Sequence, residues 1–145
     1  MDVLNKEYYT KSQLNKKLMG RWGEERAAEY LKNKGYKIIG LNFSCRFGEI
    51  DIIASYGVYV VFAEVKLRKD ASFARAAESV NRAKRRRLTA AAEIWLSKNR
   101  SMLQPRFDVL EVYAPDGRGV YTLDGSAGSP IEINHIENAF SREDL

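Results

Sequence analysis

Charged residues set inside the most apolar stretch of the chain are where its chemistry is expected. In the run Val60–Lys66 (VVFAEVK), alternation puts Val60, Phe62, Glu64 and Lys66 on one side of an extended strand, because side chains repeat every two residues. Just upstream, Glu49, Asp51 and Ile53 share one face of the stretch Glu49–Ser55. A hairpin turning at Tyr56-Gly57 sets Asp51 opposite Phe62 and Glu49 opposite Glu64. Cross-strand partners point to the same side, so Asp51, Glu64 and Lys66 become neighbours, and a register shift of two residues keeps them so. Two carboxylates held close together in a low-dielectric setting repel, and one is driven to protonate unless a cation intervenes. A hard divalent ion, Mg²⁺ or Mn²⁺, resolves this with oxygen ligands and leaves room for water and a phosphate. Lys66 is then placed to contact that phosphate or orient an attacking water, while its charge helps hold Glu64 ionised.

An isolated Glu-x-Lys is more often a surface ion pair than a site. The alternative here is a Glu64–Lys66 pair on a half-exposed edge strand, with Asp51 solvated. Asp51 on the preceding strand and Glu24 on the inner stripe of the preceding helix favour the metal site. Glu49 either extends the acidic cluster or faces solvent near the strand start; alternation does not choose. His135 is the single histidine, expected at the surface or in packing rather than as a general base. Asp108 is expected to support the site rather than to pair with Arg106 two residues before it.

The elements that must position these groups follow from pattern. A helix is expected from about Lys11 to Asn33, ending at Lys34-Gly35. Gly20, Gly23, Glu24, Ala27, Ala28 and Leu31 lie on one face of it, small residues that suit close packing on a sheet. Strands are expected at Tyr36–Phe43, Glu49–Ser55 and Val58–Leu67. A second helical region runs from about Ala74 to Lys98, with a break near Ser79 and an inner face of Val80, Lys84, Leu88, Ala91 and Trp95. A fourth strand is expected at Arg106–Tyr113, a turn at Pro115-Asp116-Gly117, a short strand at Val120–Leu123, and a tail from Ile131 to Phe140. The order is αβββαβ plus a tail.

The 145 residues, 45% of them apolar and 11% aromatic, fit a single globular domain, with the first eleven or so as an arm outside it. The longest apolar run, Val58–Ala63, is too short to span a bilayer, and Asp2, Lys6, Glu7 and Lys11 interrupt any secretory signal. With Cys45 alone there is no internal disulfide, and one Cys with one His argues against a zinc site. A cytoplasmic protein with no membrane partner is expected. A nucleoside-triphosphatase is disfavoured because no Walker-type glycine loop is present. The net charge of +5 is weak evidence by itself. Its distribution says more: Arg82, Lys84, Arg85, Arg86 and Arg87 fall together without an acid among them, and phosphates would relieve their repulsion.

Several of these residues fall in an ordered set of motifs. Gly20-x-x-Gly23-Glu24, Gly35-Tyr36, Asn42-Phe43, Gly48-Glu49-Ile50-Asp51 and Phe62-Ala63-Glu64-Val65-Lys66-x-Arg68 resemble those of the bacterial YraN-like family. Arg106-Phe107-Asp108-Val109 and Ile136-Glu137-Asn138-Ala139-Phe140 resemble its later motifs, so that the likeness spans about Gly20 to Phe140. That family is similar to the PD-(D/E)xK nuclease superfamily and to archaeal Holliday-junction resolvases. The resemblance implies a restriction-endonuclease-like α/β fold, an αβββαβ core with a central mixed sheet flanked by helices. It implies Asp51 and Glu64 as metal ligands, Lys66 as the catalytic lysine, Glu24 as an accessory carboxylate and Lys84 near the phosphate. The expected activity is a Mg²⁺-dependent phosphodiester hydrolysis on DNA rather than RNA, with branched or flapped structures as candidate substrates. A homodimer would suit a resolvase by analogy. The rivals are a non-catalytic nucleic-acid-binding module that retains the fold, and a protein-interaction domain with vestigial acids. Joint retention of Asp51, Glu64 and Lys66 favours the nuclease over the latter, and fold likeness alone does not separate catalysis from binding.

Overall fold

The computed structural model describes residues 11–68, 80–113 and 132–141. Its elements are α1 (Lys11–Asn33), β1 (Lys37–Cys45), β2 (Gly48–Tyr56), β3 (Tyr59–Arg68), α2 (Arg82–Asn99), β4 (Gln104–Tyr113) and β5 (Glu132–Phe140). They form one five-stranded sheet in the order β1-β2-β3-β4-β5. The β3–β4 pair is parallel across the α2 connection, and the other pairs are antiparallel. The mixed α/β sheet with its αβββαβ core is thus the expected architecture. The proposed N-terminal arm, the turn at Pro115, the strand at Val120–Leu123 and the stretch from Ala74 to Ser79 lie outside the described residues.

Each helix covers one side of the sheet. Trp22, Ala27, Ala28 and Leu31 of α1 pack on Ile52, Ala54, Val61, Ala63, Leu110 and Val112. Leu88, Ala91 and Ala92 of α2 pack on Ile53, Val60, Phe62, Phe107 and Val109. Helix α1 stops because Gly35 takes a φ of +94°. That turn lets Tyr36 N–H reach Leu31 O at 2.9 Å and Gly35 N–H reach Lys32 O at 3.0 Å, satisfying carbonyls the helix end would orphan. At the start of α2 the Asn81 side chain accepts from Lys84 N–H at 2.9 Å. Ala27 and Ala28 lie against the sheet as expected, but of the two glycines only Gly23 does. A Cβ there would touch Leu67 Cδ1 at 3.4 Å, whereas one at Gly20 would meet nothing within 4 Å. Trp22, which the pattern had not singled out, is 2% exposed and anchors the helix.

Two expectations are corrected. The β2–β3 hairpin turns on Gly57-Val58 rather than Tyr56-Gly57, because Gly57 takes the positive-φ first loop position at +58° and Tyr56 pairs with Tyr59. Sliding the turn by one residue slides the register by two, so Ile53 rather than Asp51 faces Phe62. The supposed tail is strand β5, antiparallel to β4. Its sequence lacks a clean apolar alternation because polar side chains share the contact with β4 with a few apolar ones, Phe140 stacking on Phe107 at 4.9 Å. Among the described residues, no helix is long and apolar enough to cross a membrane.

Candidate metal centre and nucleic-acid face

The recorded β2–β3 ladder ends at Ile52↔Ala63. One residue beyond it, Val65 N–H donates to the Asp51 carboxylate (Oδ2) at 2.8 Å instead of to a backbone carbonyl. Strict alternation breaks here too: Ile50 and Ile53 both lie in the α2-side core, while Ile52 and Ala54 lie on the α1 side. Across from this break Asn42 of β1 takes a φ of +51°, which asparagine tolerates better than most residues. The common face expected for Glu49, Asp51 and Ile53 therefore does not persist, and Glu49 parts from the other two.

Glu64 continues the side of β3 that carries Val60 and Phe62, and only 6% of it is exposed. Lys66 Nζ and Lys84 Nζ, one from the same strand and one from α2, each lie 3.6 Å from Glu64 Oε1. Its other oxygen, Oε2, is buried without a hydrogen-bond partner. Burial, and next the charge of Glu64, push the Asp51 carboxyl up to about 7; the Val65 N–H and Lys84 offset only part of this. Burial also raises the pKa of Glu24, helped by Glu49 and Glu64 and opposed by an Asn42 hydrogen bond. The Asn42 amide nitrogen donates to Glu24 Oε1 at 2.9 Å and Glu49 Oε1 at 3.1 Å, an orientation assigned because the reverse would set its oxygen against both acids. Ser44 Oγ holds the other oxygen of Glu49 at 3.2 Å.

The expected site residues thus divide. Asp51, Glu64, Lys66 and Lys84 converge where β2 and β3 part. Glu24 reaches the same place from α1, beside the close contact at Gly23. Glu49 is tied to Glu24 through Asn42, a residue the sequence reading quoted only within a motif and gave no role; an asparagine amid the apolar first strand was its signal. A groove of about 410 Å³ lined by Arg21, Glu24, Arg26, Leu41 and Asn42 opens the Glu24 edge to solvent. On α2, Arg82, Arg86 and Arg87 are exposed. Arg85 instead folds back, its Nε donating to Val80 O at 2.8 Å and its guanidinium lying 5.5 Å from the Phe140 ring centre. No acid occupies the first turn of α2, so these cations add to the positive end of the helix dipole.

No three His, Cys, Asp or Glu side chains among the described residues close into a metal cage. Mg²⁺ rarely asks for one: it is usually held by one or two carboxylates and completed by waters and substrate phosphates. Asp51 and Glu64 supply that donor set, and the unpartnered Oε2 of Glu64 is a lone pair such an ion would take up.

Asp108 does not support this centre, contrary to expectation. Arg106 grips it with Nε at 2.9 Å and Nη2 at 2.8 Å. His135 Nε2 meets Asp108 Oδ2 at 2.7 Å, and Asn138 N–H donates to Oδ1 at 3.0 Å. A carboxylate only accepts, so Nε2 of His135 carries the proton and Nδ1 faces Tyr30 OH at 3.4 Å. Burial pushes Asp108 up, but the bonds from His135, Arg106 and Asn138 outweigh it and hold the carboxyl below its ordinary value. His135, its side chain 3% exposed, is the packing residue expected, and it fastens β5 to β4.

Residues 23–112 match the family described as "Uncharacterised protein family UPF0102". A UPF0102 protein of Caldanaerobacter subterraneus subsp. tengcongensis is 42% identical over 128 residues, 88% of this chain and 98% of its own. One from Caldicellulosiruptor saccharolyticus is 39% identical over 88% of this chain and all of its own length. One from Carboxydothermus hydrogenoformans is 41% identical over 86% of this chain and 97% of its own. The motifs read from the sequence and the span of these matches agree, and the chain belongs to the UPF0102 family, the YraN-like family.

Proposed function

We propose that this protein is a metal-dependent phosphodiesterase acting on nucleic acid, with DNA as its substrate. The observation that carries the reading is the pair of buried Glu64 and half-buried Asp51, left short of one partner and faced by Lys66 and Lys84. Two neighbouring acids withdrawn from water, one buried and one half-buried with its pKa raised to about 7, make a poor structural device but a suitable cradle for a divalent cation. Mg²⁺ or Mn²⁺, when bound, supplies Lewis-acid stabilisation of the charge that develops on a phosphate. Asp51 and Glu64 would hold it, with Glu24 close enough to tune their charge. Lys66, 3.6 Å from Glu64 here, would with that carboxylate engaged by a cation be free to turn its ammonium to a phosphate oxygen or the attacking water. Lys84 would do the same from α2, and the exposed Arg82, Arg86 and Arg87 would neutralise phosphates further along.

The test is a cleavage assay on linear, flapped and four-way DNA with Mg²⁺ or Mn²⁺, using Asp51→Ala as the control. Metal-dependent cutting by the parent, lost in the variant, is the expected result. If highly purified parent cuts nothing with either metal, the catalytic reading fails and a nucleic-acid-binding module takes its place.

A further inference from the structure

Two residues beyond Lys66, on the same side of β3, Arg68 belongs to a buried polar cluster that the acidic centre does not use. Arg68 Nε donates to Glu111 Oε2 at 3.2 Å. The other oxygen of Glu111 accepts from Tyr113 OH at 3.1 Å and Asn134 Nδ2 at 2.9 Å. The parallel register sets Lys66 beside Glu111 and Arg68 beside Tyr113, so the cluster continues the Glu64–Lys66 face. Glu111 is 1% exposed and both its oxygens are occupied. Arg68 is not satisfied: its Nη2 is buried without a partner.

That half-use of a guanidinium is informative. Arg–carboxylate pairs are frequently bidentate, because the planar fork matches both oxygens. Arg106 and Asp108 show the closed form in this molecule, with bonds of 2.9 and 2.8 Å. Glu111 instead holds Arg68 by Nε alone, fixing the side chain with Nη2 buried and unpartnered while 22% of the side chain stays exposed. Two residues along a strand advance about 6.6 Å, a step close to the separation of successive phosphates on one nucleic-acid strand. We infer that Arg68 binds a backbone phosphate next to the one met by Lys66, and that Glu111 is its positioning residue. The ligand class is a phosphodiester, read without reference to base. The inference rests on the proposed function and extends its site by one nucleotide.

The test is the affinity of the full-length protein for a fluorescent DNA duplex across a salt series, with Ca²⁺ replacing Mg²⁺. Removing both partners in Arg68→Met/Glu111→Gln avoids leaving a buried charge unpaired, and circular dichroism confirms folding. This variant should bind roughly tenfold more weakly, with a log–log salt slope lower by about 0.9, the loss of one phosphate contact. Arg68→Lys should keep the slope and lose part of the affinity. Glu111→Gln alone should weaken binding with the slope intact, since the charge remains but is no longer aimed; a lower melting temperature with unchanged affinity would withdraw its positioning role. If the double variant matches the parent in affinity and slope while Arg86→Gln lowers both, the Arg68 inference falls and the proposed function stands. If the parent itself binds no duplex at low salt, both fall.

Discussion

Two buried carboxylates, Asp108 and Glu64, sit on opposite faces of one sheet and have met opposite fates. Asp108 is saturated: Arg106 grips it twice, and His135 and the Asn138 amide fill what remains. Glu64 has two lysines at 3.6 Å on one oxygen and nothing on the other, with Asp51 beside it protonating near 7. Burying charge is costly in both places. At Asp108 the fold itself supplies the compensation, and the cluster locks β5 onto β4. At Glu64 the compensation is missing, and on the proposed function it comes from ligands: a hard cation between the acids and an anion for the lysines. A closed charge network reads as architecture; an open one reads as a site.

The comparison can be broken from either end, and the largest effect is expected at the closed one. Asp108→Ala strands the Arg106 guanidinium, whose side chain is 9% exposed, and should cost about 3–5 kcal/mol in denaturant unfolding. A cost under about 1 kcal/mol would mean the network is not structural. At the open end, Lys66→Met should leave thermal stability nearly intact and cost binding no more than one phosphate contact, about tenfold, while cleavage falls at least about a hundredfold. Equal cutting by this variant and the parent would remove Lys66 from the chemistry.

A smaller effect, of opposite sign, is expected at Asp51. Its raised pKa means the folded state keeps a proton that the unfolded state has already lost between pH 3.8 and about 7. Metal-free stability should therefore fall as pH rises through that window. Asp51→Asn should stabilise the metal-free protein above pH 7, by on the order of 1 kcal/mol, since the Val65 N–H can still be accepted. The same proton must leave before a cation binds, so Mn²⁺ affinity in the parent should climb with pH and level off above about 7. A melting temperature unchanged by the substitution at pH 8 would contradict the repulsion. The smallest effect belongs to the basic helix: exposed Arg82, Arg86 and Arg87 should each lower the salt slope of duplex binding by about 0.9 when changed to glutamine. Arg85, held by Val80 O, should change it less.

The grouping of Asp51, Glu64 and Lys66 was legible in the sequence because its signal is a violation: charges at fixed parity inside apolar strands. The parity argument survived the wrong register, since a slip of two residues returns every side chain to its own face. What it did not survive is the local break at Asn42 and Asp51, where a positive φ and a side-chain-to-backbone bond suspend alternation, separating Glu49 from Asp51. The closed network was hidden for the opposite reason. Arg106, Asp108, His135 and Asn138 are ordinary polar residues until β5 pairs with β4, and the β5 sequence carries no apolar period to announce that pairing. Arg68 was quoted within a motif, but its partner Glu111 lies 43 residues away and is found only through the parallel register.

Calorimetric titration of Mn²⁺ into the parent, Asp51→Asn and Asp108→Asn at pH 7.5 tests the central claim most directly. If Asp51 and Glu64 form an open metal site and Asp108 a closed structural one, the parent binds the ion and Asp51→Asn does not. Asp108→Asn, though less stable, should bind as the parent does while it remains folded. Binding by Asp51→Asn with the parent's affinity would contradict the account, as would its selective loss in folded Asp108→Asn.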